Sequence, residues 1–210
     1  MRDRLWEMLM LVSILEDKMN NSYQFTLILD GVDENTANID DALFESGCDD
    51  ALINYKNGTV YLDFDRAGND LEQSIISAIN DVESAALGAT IISVAPEHLV
   101  NLSDIAERVS MTRQAVSLLM LGERGAGGFP KPILKIANKS PLWRWSAVAE
   151  WFYQQGKITN HDVVDDANIV EDINAVLELR NRKTFEHRQK ILDRLVTRIV
   201  QKQNDSNHDI

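Results

Sequence analysis

Along residues 23–95 the apolar positions follow two periods. "QFTLIL" is a β-rich run. "DALINYK" and "TVYLDF" alternate around Asn57-Gly58, a pair that tolerates positive φ and so predicts a hairpin. Ahead of them, "NIDDALFESG" predicts a short helix closed at Gly47, where a left-handed residue ends the turn. "DLEQSIISAINDVESAALG" changes to helical spacing, with Leu71, Ile75, Ile79 and Val82 on one stripe, Asp70 as N-cap and Gln73 at the capping-box position. It stops at Gly88, and "ATIISVA" predicts a last strand.

The order β-α-β-β-α-β is that of the ferredoxin-like split βαβ, so residues 21–96 are expected to form an acidic α+β (ferredoxin-like) unit. Such a fold fixes no function. Residues 1–20 precede it as a helical extension. Since "MNNSYQFTL" at Met19 itself reads as a natural start, the first 18 residues read equally as a start placed upstream of the true one.

Residues 97–155 have a different rhythm. In "NLSDIAERVSMTRQAVSLL", Ser103 is expected to cap a helix with Ile105, Ala106 and Val109 inward, and Thr112 a second with Val116 and Leu119 inward. With Leu102 and Met111, these fill the apolar positions of a helix-turn-helix, and Ala106 is the small residue that a close crossing needs. Ser110 stands where such a turn usually has glycine and should carry backbone strain. The second helix would expose Thr112, Arg113, Gln114 and Ser117. Arginine can bond guanine in two places, glutamine adenine, and a hydroxyl a phosphate or base edge.

Four of the 10 glycines fall between Gly122 and Gly128, followed by two of the four prolines, Pro130 and Pro132. No helix or central strand survives that composition. After it, "ILKI" and "LWRW" are expected to pair across "ANKS" as a two-stranded wing, and Ser146 to cap a helix carrying Val148, Ala149, Trp151 and Phe152. The glycines would let the backbone approach a phosphate chain, with the prolines fixing the start of the first wing strand. A nucleotide cradle fits less well, because the segment follows a helix instead of joining a strand to a helix start. Arg124, Lys131, Lys135, Lys139 and Arg144 would supply positive charge. Trp143, Trp145 and Trp151 read as core and not as stacking platforms.

Residues 156–210 read as a helical region with a disordered tail, "QNDSNHDI". Ile169, Ile173 and Val176 keep helical spacing, as do Phe185, Leu192, Leu195 and Ile199. Two readings of these stripes stand: packing on the chain's own core, or a helical dimer interface.

Charge separates the regions. The net is −12, but residues 1–99 hold 5 Lys+Arg against 19 Asp+Glu, a net of −14, and residues 100–145 hold 7 against 3, a net of +4. Residues 180–202 hold 8 against 2, a net of +6. The carboxylates Asp33, Glu34, Asp40, Asp41, Asp49, Asp50, Asp63 and Asp65 have no cation-loop spacing and read as a solvated face, Asp63 and Asp65 on one side of a strand with Leu62 and Phe64 on the other. Cys48 is the one cysteine, and the four histidines have no zinc spacing with it or each other. No nucleophile elbow or Walker sequence occurs, so no enzyme and no cofactor are expected. The longest apolar run, "LWEMLMLVSIL", is interrupted by Glu7 and too short to span a bilayer, which with the single cysteine predicts a cytoplasmic protein without membrane partners.

The string "LSDIAERVSMTRQAVS" followed by "FPKPILKI" and "LWRWSAVAEWF" resembles the winged helix-turn-helix of excisionase/AlpA-like regulators, which are related in fold to MerR DNA-binding domains. The resemblance covers about 50 residues. It implies that Thr112, Arg113, Gln114 and Ser117 lie toward the major groove, and Lys135, Lys139 and Arg144 toward the backbone or minor groove. The expected function is a bacterial or phage-type transcription regulator binding double-stranded DNA, as a homodimer on a repeated site because one module offers few base contacts. The alternative is an antitoxin or immunity-type interaction protein whose acidic unit binds a protein partner. RNA binding is a third, weaker reading, with Tyr55 and Tyr61 as its platform.

Overall fold

The computed structural model describes residues 21–180 and 185–206, with side chains in the last helix over 186–197. The expected extension at 1–20 lies outside the described residues. Mixed α and β elements run in the order β1 (Ser22–Asp30), α1 (Ile39–Glu45), β2 (Ala51–Lys56), β3 (Thr59–Ala67), α2 (Leu71–Ser84), β4 (Thr90–Ala95), β5 (Leu99–Val100), α3 (Leu102–Arg108), α4 (Arg113–Met120), β6 (Trp143–Arg144), α5 (Trp145–Gln154), α6 (Asp162–Arg180) and α7 (Phe185–Ser206). Among the described residues no helix is long and apolar enough to cross a membrane.

The first four strands form one sheet in the order β2-β3-β1-β4, every neighbouring pair antiparallel. Alternation puts Phe25, Leu27 and Leu29 of β1 and Val60, Leu62 and Phe64 of β3 on one buried face, against Ile39 and Leu43 of α1 and Leu71, Ile75, Ala78, Ile79 and Val82 of α2. The β2–β3 hairpin turns at Asn57 and Gly58, both at positive φ. Asp70 caps α2 by accepting from the Gln73 N–H at 2.7 Å. Asp63 and Asp65 face away from the core. The register pairs Tyr61 with Asn54 and Tyr55 with Val60, so the two tyrosines point to opposite faces and form no platform. That overturns the basis of the RNA reading.

One buried cation organises this unit. The five N–H groups of Arg66 go to Asp50 (2.8 and 2.9 Å), Ser77 (3.1 Å), Asp81 (2.6 Å) and the Gly47 carbonyl (2.8 Å). Burial alone would lower its pKa, but the bonds to Asp50 and Asp81 outweigh that and raise it. Of the eight carboxylates read as a solvated face, Asp50 therefore has a structural role. Cys48 packs in the same core, where burial pushes its thiol up.

The second core joins α3, α4, α5 and the two-stranded β5–β6 ladder, in which Leu99 pairs with Arg144 and Val100 with Trp143. Three local expectations are corrected here. Asn101, not Ser103, caps α3: its side chain accepts from the Ser103 and Asp104 N–H groups while Asp104 accepts from Asn101 N–H at 2.8 Å, a reciprocal box that Ser103 is one turn position too late to make. Helix α5 begins at Trp145 rather than after Ser146, whose hydroxyl instead donates to Glu171. The strand residues of "LWRW" form β6 and pair with β5, and across the expected wing the described ladder is a single bridge between Leu134 and Leu142.

Helix α6 belongs to both cores. Val164 and Ala167 pack in the second, Val170 and Leu177 in the first. The buried stripe thus passes through Val170 and Leu177, with Ile169 and Ile173 at its border, and Val176 is 60% exposed. Next to it, Asn174 covers the outer edge of β4: its carbonyl accepts from Val94 N–H at 2.9 Å and from the Ser93 hydroxyl at 3.0 Å, and its amide donates to Val94 C=O at 2.9 Å. An edge strand's open backbone is thereby paired. Helix α7 leaves Ile191, Leu192, Leu195 and Val196 exposed, so the reading of that stripe as packing on the chain's own core finds no support there. Phe185 and Ile199 side chains lie outside the described residues. The helix extends to Ser206, so the first four residues of the expected tail are helical, while 207–210 lie outside the described residues.

Candidate nucleic-acid interface

The geometry of α3 and α4 comes from how each helix stops and starts. At the end of α3, Ser110 N–H bonds Glu107 C=O at 3.1 Å and Met111 N–H bonds Ala106 C=O at 2.8 Å, the paired bonds of a Schellman ending. The residue between must be left-handed, and Ser110 is, at φ 51°. Two residues on, Thr112 accepts from Ala115 N–H at 3.2 Å and starts α4. Val116 and Leu119 turn inward with Ile105 and Ala106. Thr112, Arg113 and Gln114 face solvent, and Ser117 is half-buried. The Thr112 hydroxyl is already engaged as a cap. Arg113, Gln114 and Ser117 make no side-chain hydrogen bond or ion pair with another described residue.

The glycine-rich segment is packed, not loose. Helix α4 ends as α3 does, with Gly122 N–H on Leu119 C=O and Glu123 N–H on Leu118 C=O. The chain then folds back over the aromatic core through Gly125, Gly127 and Gly128, all at positive φ. A Cβ on Gly125 would come within 3.0 Å of Leu119 Cδ2. Gly127 C=O accepts from the Trp151 indole at 3.1 Å, and Pro130 C=O from the Trp143 indole at 3.0 Å. Between them Phe129 stands edge-on to Trp143, Trp151 and Phe152, with ring centres 5.0–6.4 Å apart. The glycines therefore serve a backbone path that returns to two indoles.

Beyond Pro132 the chain makes a small exposed hairpin. Ile133 N–H bonds Leu142 C=O at 2.8 Å, Leu142 N–H bonds Leu134 C=O at 3.0 Å, and the tip turns at Lys135, φ 52°, with Asn138 N–H on its carbonyl at 2.9 Å. Arg124, Lys131, Lys135 and Lys139 are exposed and without side-chain partners among the described residues. Ile133, Leu134 and Ile136 are exposed among them, Ile136 at 70%.

Arg144 is exposed like the other four cations but, unlike them, is paired. Its guanidinium pairs with Glu171 of α6, whose carboxylate also takes the Ser146 hydroxyl, so it ties the β5–β6 ladder to α6 rather than extending the loop's positive charge. Arg108, which the sequence pattern did not single out, lies over the Trp145 ring at 5.0 Å and pairs with Glu97 at 3.5 Å. Burial lowers its pKa, and its Nη1 is buried without a partner among the described residues. Its position after "IAE" reads as a solvent-facing helix end, so no local signal marks it.

The cations form two sets: Arg113 and Arg124 with α4 and its exit, and Lys131, Lys135 and Lys139 along the hairpin. Compared with family models, curated proteins and solved structures, the chain matches none of them.

Proposed function

We propose that the chain is a sequence-specific double-stranded DNA-binding transcription regulator. In this reading α3 and α4 act as a helix-turn-helix and the 131–142 hairpin as its reduced wing. The observation that carries the reading is a contrast in partnership. Arg66, Arg108, Arg144 and Arg180 all pair with carboxylates of the same chain, whereas Arg113, Arg124, Lys131, Lys135 and Lys139 have no such partner among the described residues. Unpaired cations on one helix face and its loop suit phosphates, and Arg113 with Gln114 at the start of α4 suits base edges. The antiparallel order β2-β3-β1-β4 supports the ferredoxin-like reading of the first unit. The exposed apolar residues of α7 support a homodimer, and a dimer would read half-sites about one helical turn apart or a multiple of it.

The test is binding of the purified chain to its own upstream DNA at two salt concentrations with random competitor. Selective retention is expected. Arg113→Ala should cost about 1–3 kcal/mol and relax base preference, and Lys139→Ala should weaken all sequences evenly and lower the salt slope by about one. Equal behaviour of the two variants on every sequence overturns the role of α4. Failure at both salts, with stoichiometric co-purification of a protein, favours the interaction-protein alternative.

A further inference from the structure

A cavity of about 450 Å³ opens where the two units meet, within the size range of small-molecule sites. Strand length creates it. β1 begins at Ser22, but β4 ends at Ala95 opposite Thr26, so residues 22–25 have β3 on one side and no strand on the other. Past Ala95 the chain crosses to His98, whose carbonyl accepts the Trp145 N–H at 2.8 Å. Helix α6 closes the far side with Val163, Asp166, Ala167 and Val170.

The walls are mostly apolar: Phe25, Leu71, Trp145, Val163, Ala167 and Val170. Five polar side chains also line the space: the Tyr23 hydroxyl donates to Asn69 C=O at 3.2 Å, and Ser22, Gln24, His98 and Asp166 bond no other described side chain or backbone group. The backbone adds more. Val94 directs its N–H and C=O outward to Asn174, so Thr26 directs its own toward β4, and Gln24, two residues earlier, directs its N–H and C=O into the gap that β4 leaves.

Charge selects the ligand class. Among the described lining residues Asp166 alone carries a formal charge at neutral pH. Burial raises its pKa, and Asp162 and Asp165 raise it further. His98 offers no compensating charge, because burial and then Arg144 lower its pKa. A half-buried carboxylate among apolar walls, with acidic neighbours and no counter-ion, gains most from a cation that brings its own apolar body. We propose that this cavity binds a small molecule with an apolar body and a protonated amine, the amine held by the Asp166 carboxylate and the body against the apolar wall. The site stands independently of DNA binding, and either can fail without the other.

The probes are phenethylamine, 2-phenylethanol and 3-phenylpropionate, which share a body and differ in the head group. Each is titrated into the full chain and followed by amide NMR. The amine should shift signals within residues 22–25 and 163–170 and bind at least about ten-fold more tightly than the alcohol, as expected of a charge-assisted bond. Asp166→Asn should remove that preference, and Asp172→Asn, exposed on the same helix outside the cavity, should keep it. The asparagine variant removes an unfavourably buried charge, so folding is not at risk. The proposal is overturned if the acid binds as well as the amine, if the shifts fall elsewhere, or if the amine produces none at about 10 mM, a concentration ample for a ligand of this size.

Discussion

The two units use charge in opposite ways. In the α+β unit an arginine sits at 7% exposure inside the fold with all five donors bonded, and Asp63 accepts from Thr26 at 2.6 Å and from Asn54 at 2.9 Å across the outer sheet face. In the middle unit, aromatic rings and indole-to-carbonyl bonds hold the core, and the exposed cations of α4 and the hairpin contribute nothing to it. The first unit buries a cation at its centre, whereas the middle unit keeps its paired cations, Arg108 and Arg144, at the border of its core and leaves those of α4 and the hairpin without partners among the described residues. Net charge alone, negative in the first and positive in the second, would have missed this difference.

The sharpest way to break the comparison is to remove one cation of each kind. Arg66→Met leaves Asp50, Asp81 and the Gly47 carbonyl without their donor and should lower unfolding free energy by about 3 kcal/mol, moderated because both carboxylates keep some exposure. Arg113→Ala should change it by less than about 0.5 kcal/mol in the same urea titration. An equal loss in both would erase the distinction.

Asn174→Leu should follow at about 2 kcal/mol, since it strips partners from Val94 N–H and C=O while keeping side-chain volume. Amide exchange at Val94 would report it directly. Ser110→Gly should act with the opposite sign, raising stability by about 1 kcal/mol, because a left-handed residue without Cβ escapes the clash that serine bears. A melting temperature that falls instead would mean that the serine side chain stabilises the turn.

The smallest effect is a pH dependence at the junction. The folded state holds the His98 pKa below the ordinary 6.5, through burial first and Arg144 second. The unfolded chain therefore binds the proton more readily, and stability is full above 6.5 and falls as pH drops through 6.5 toward the lower folded value. His98→Asn should flatten that part of the stability curve, measured by urea unfolding across the window.

What was legible in the sequence was local. Alternation in "QFTLIL" and "TVYLDF", the Asn57-Gly58 turn, and the caps at Asp70 and Thr112 each act within a few residues, and each element appears where its pattern predicts. What was not legible joins distant positions. The Arg66 partners lie 11 to 19 residues away, and Asn174 meets Val94 across 80. A two-residue ladder between Leu99–Val100 and Trp143–Arg144 has no period to detect, so "LWRW" read as a partner for "ILKI". In α6 the expected pattern runs off the buried stripe, Ile169 and Ile173 at its border and Val176 exposed, because an asparagine occupies the position facing β4 and breaks the apolar count. Among the candidate contacts, Arg144 is exposed as expected but also pairs with Glu171, 27 residues away, and Ser117 is half-buried where the pattern predicts exposure.

Helix α6 has a last consequence, for inheritance rather than for binding. Separate domains can be exchanged as interchangeable modules, but here one rod supplies Val164 and Ala167 to one body and Val170 and Leu177 to the other. A recombination joint after residue 96 would separate the first body from its own final helix, uncovering Ile91, Val94 and a strand edge ready to recruit another chain. The pair should therefore descend as a single block, with its tolerated joints falling outside residues 22–180.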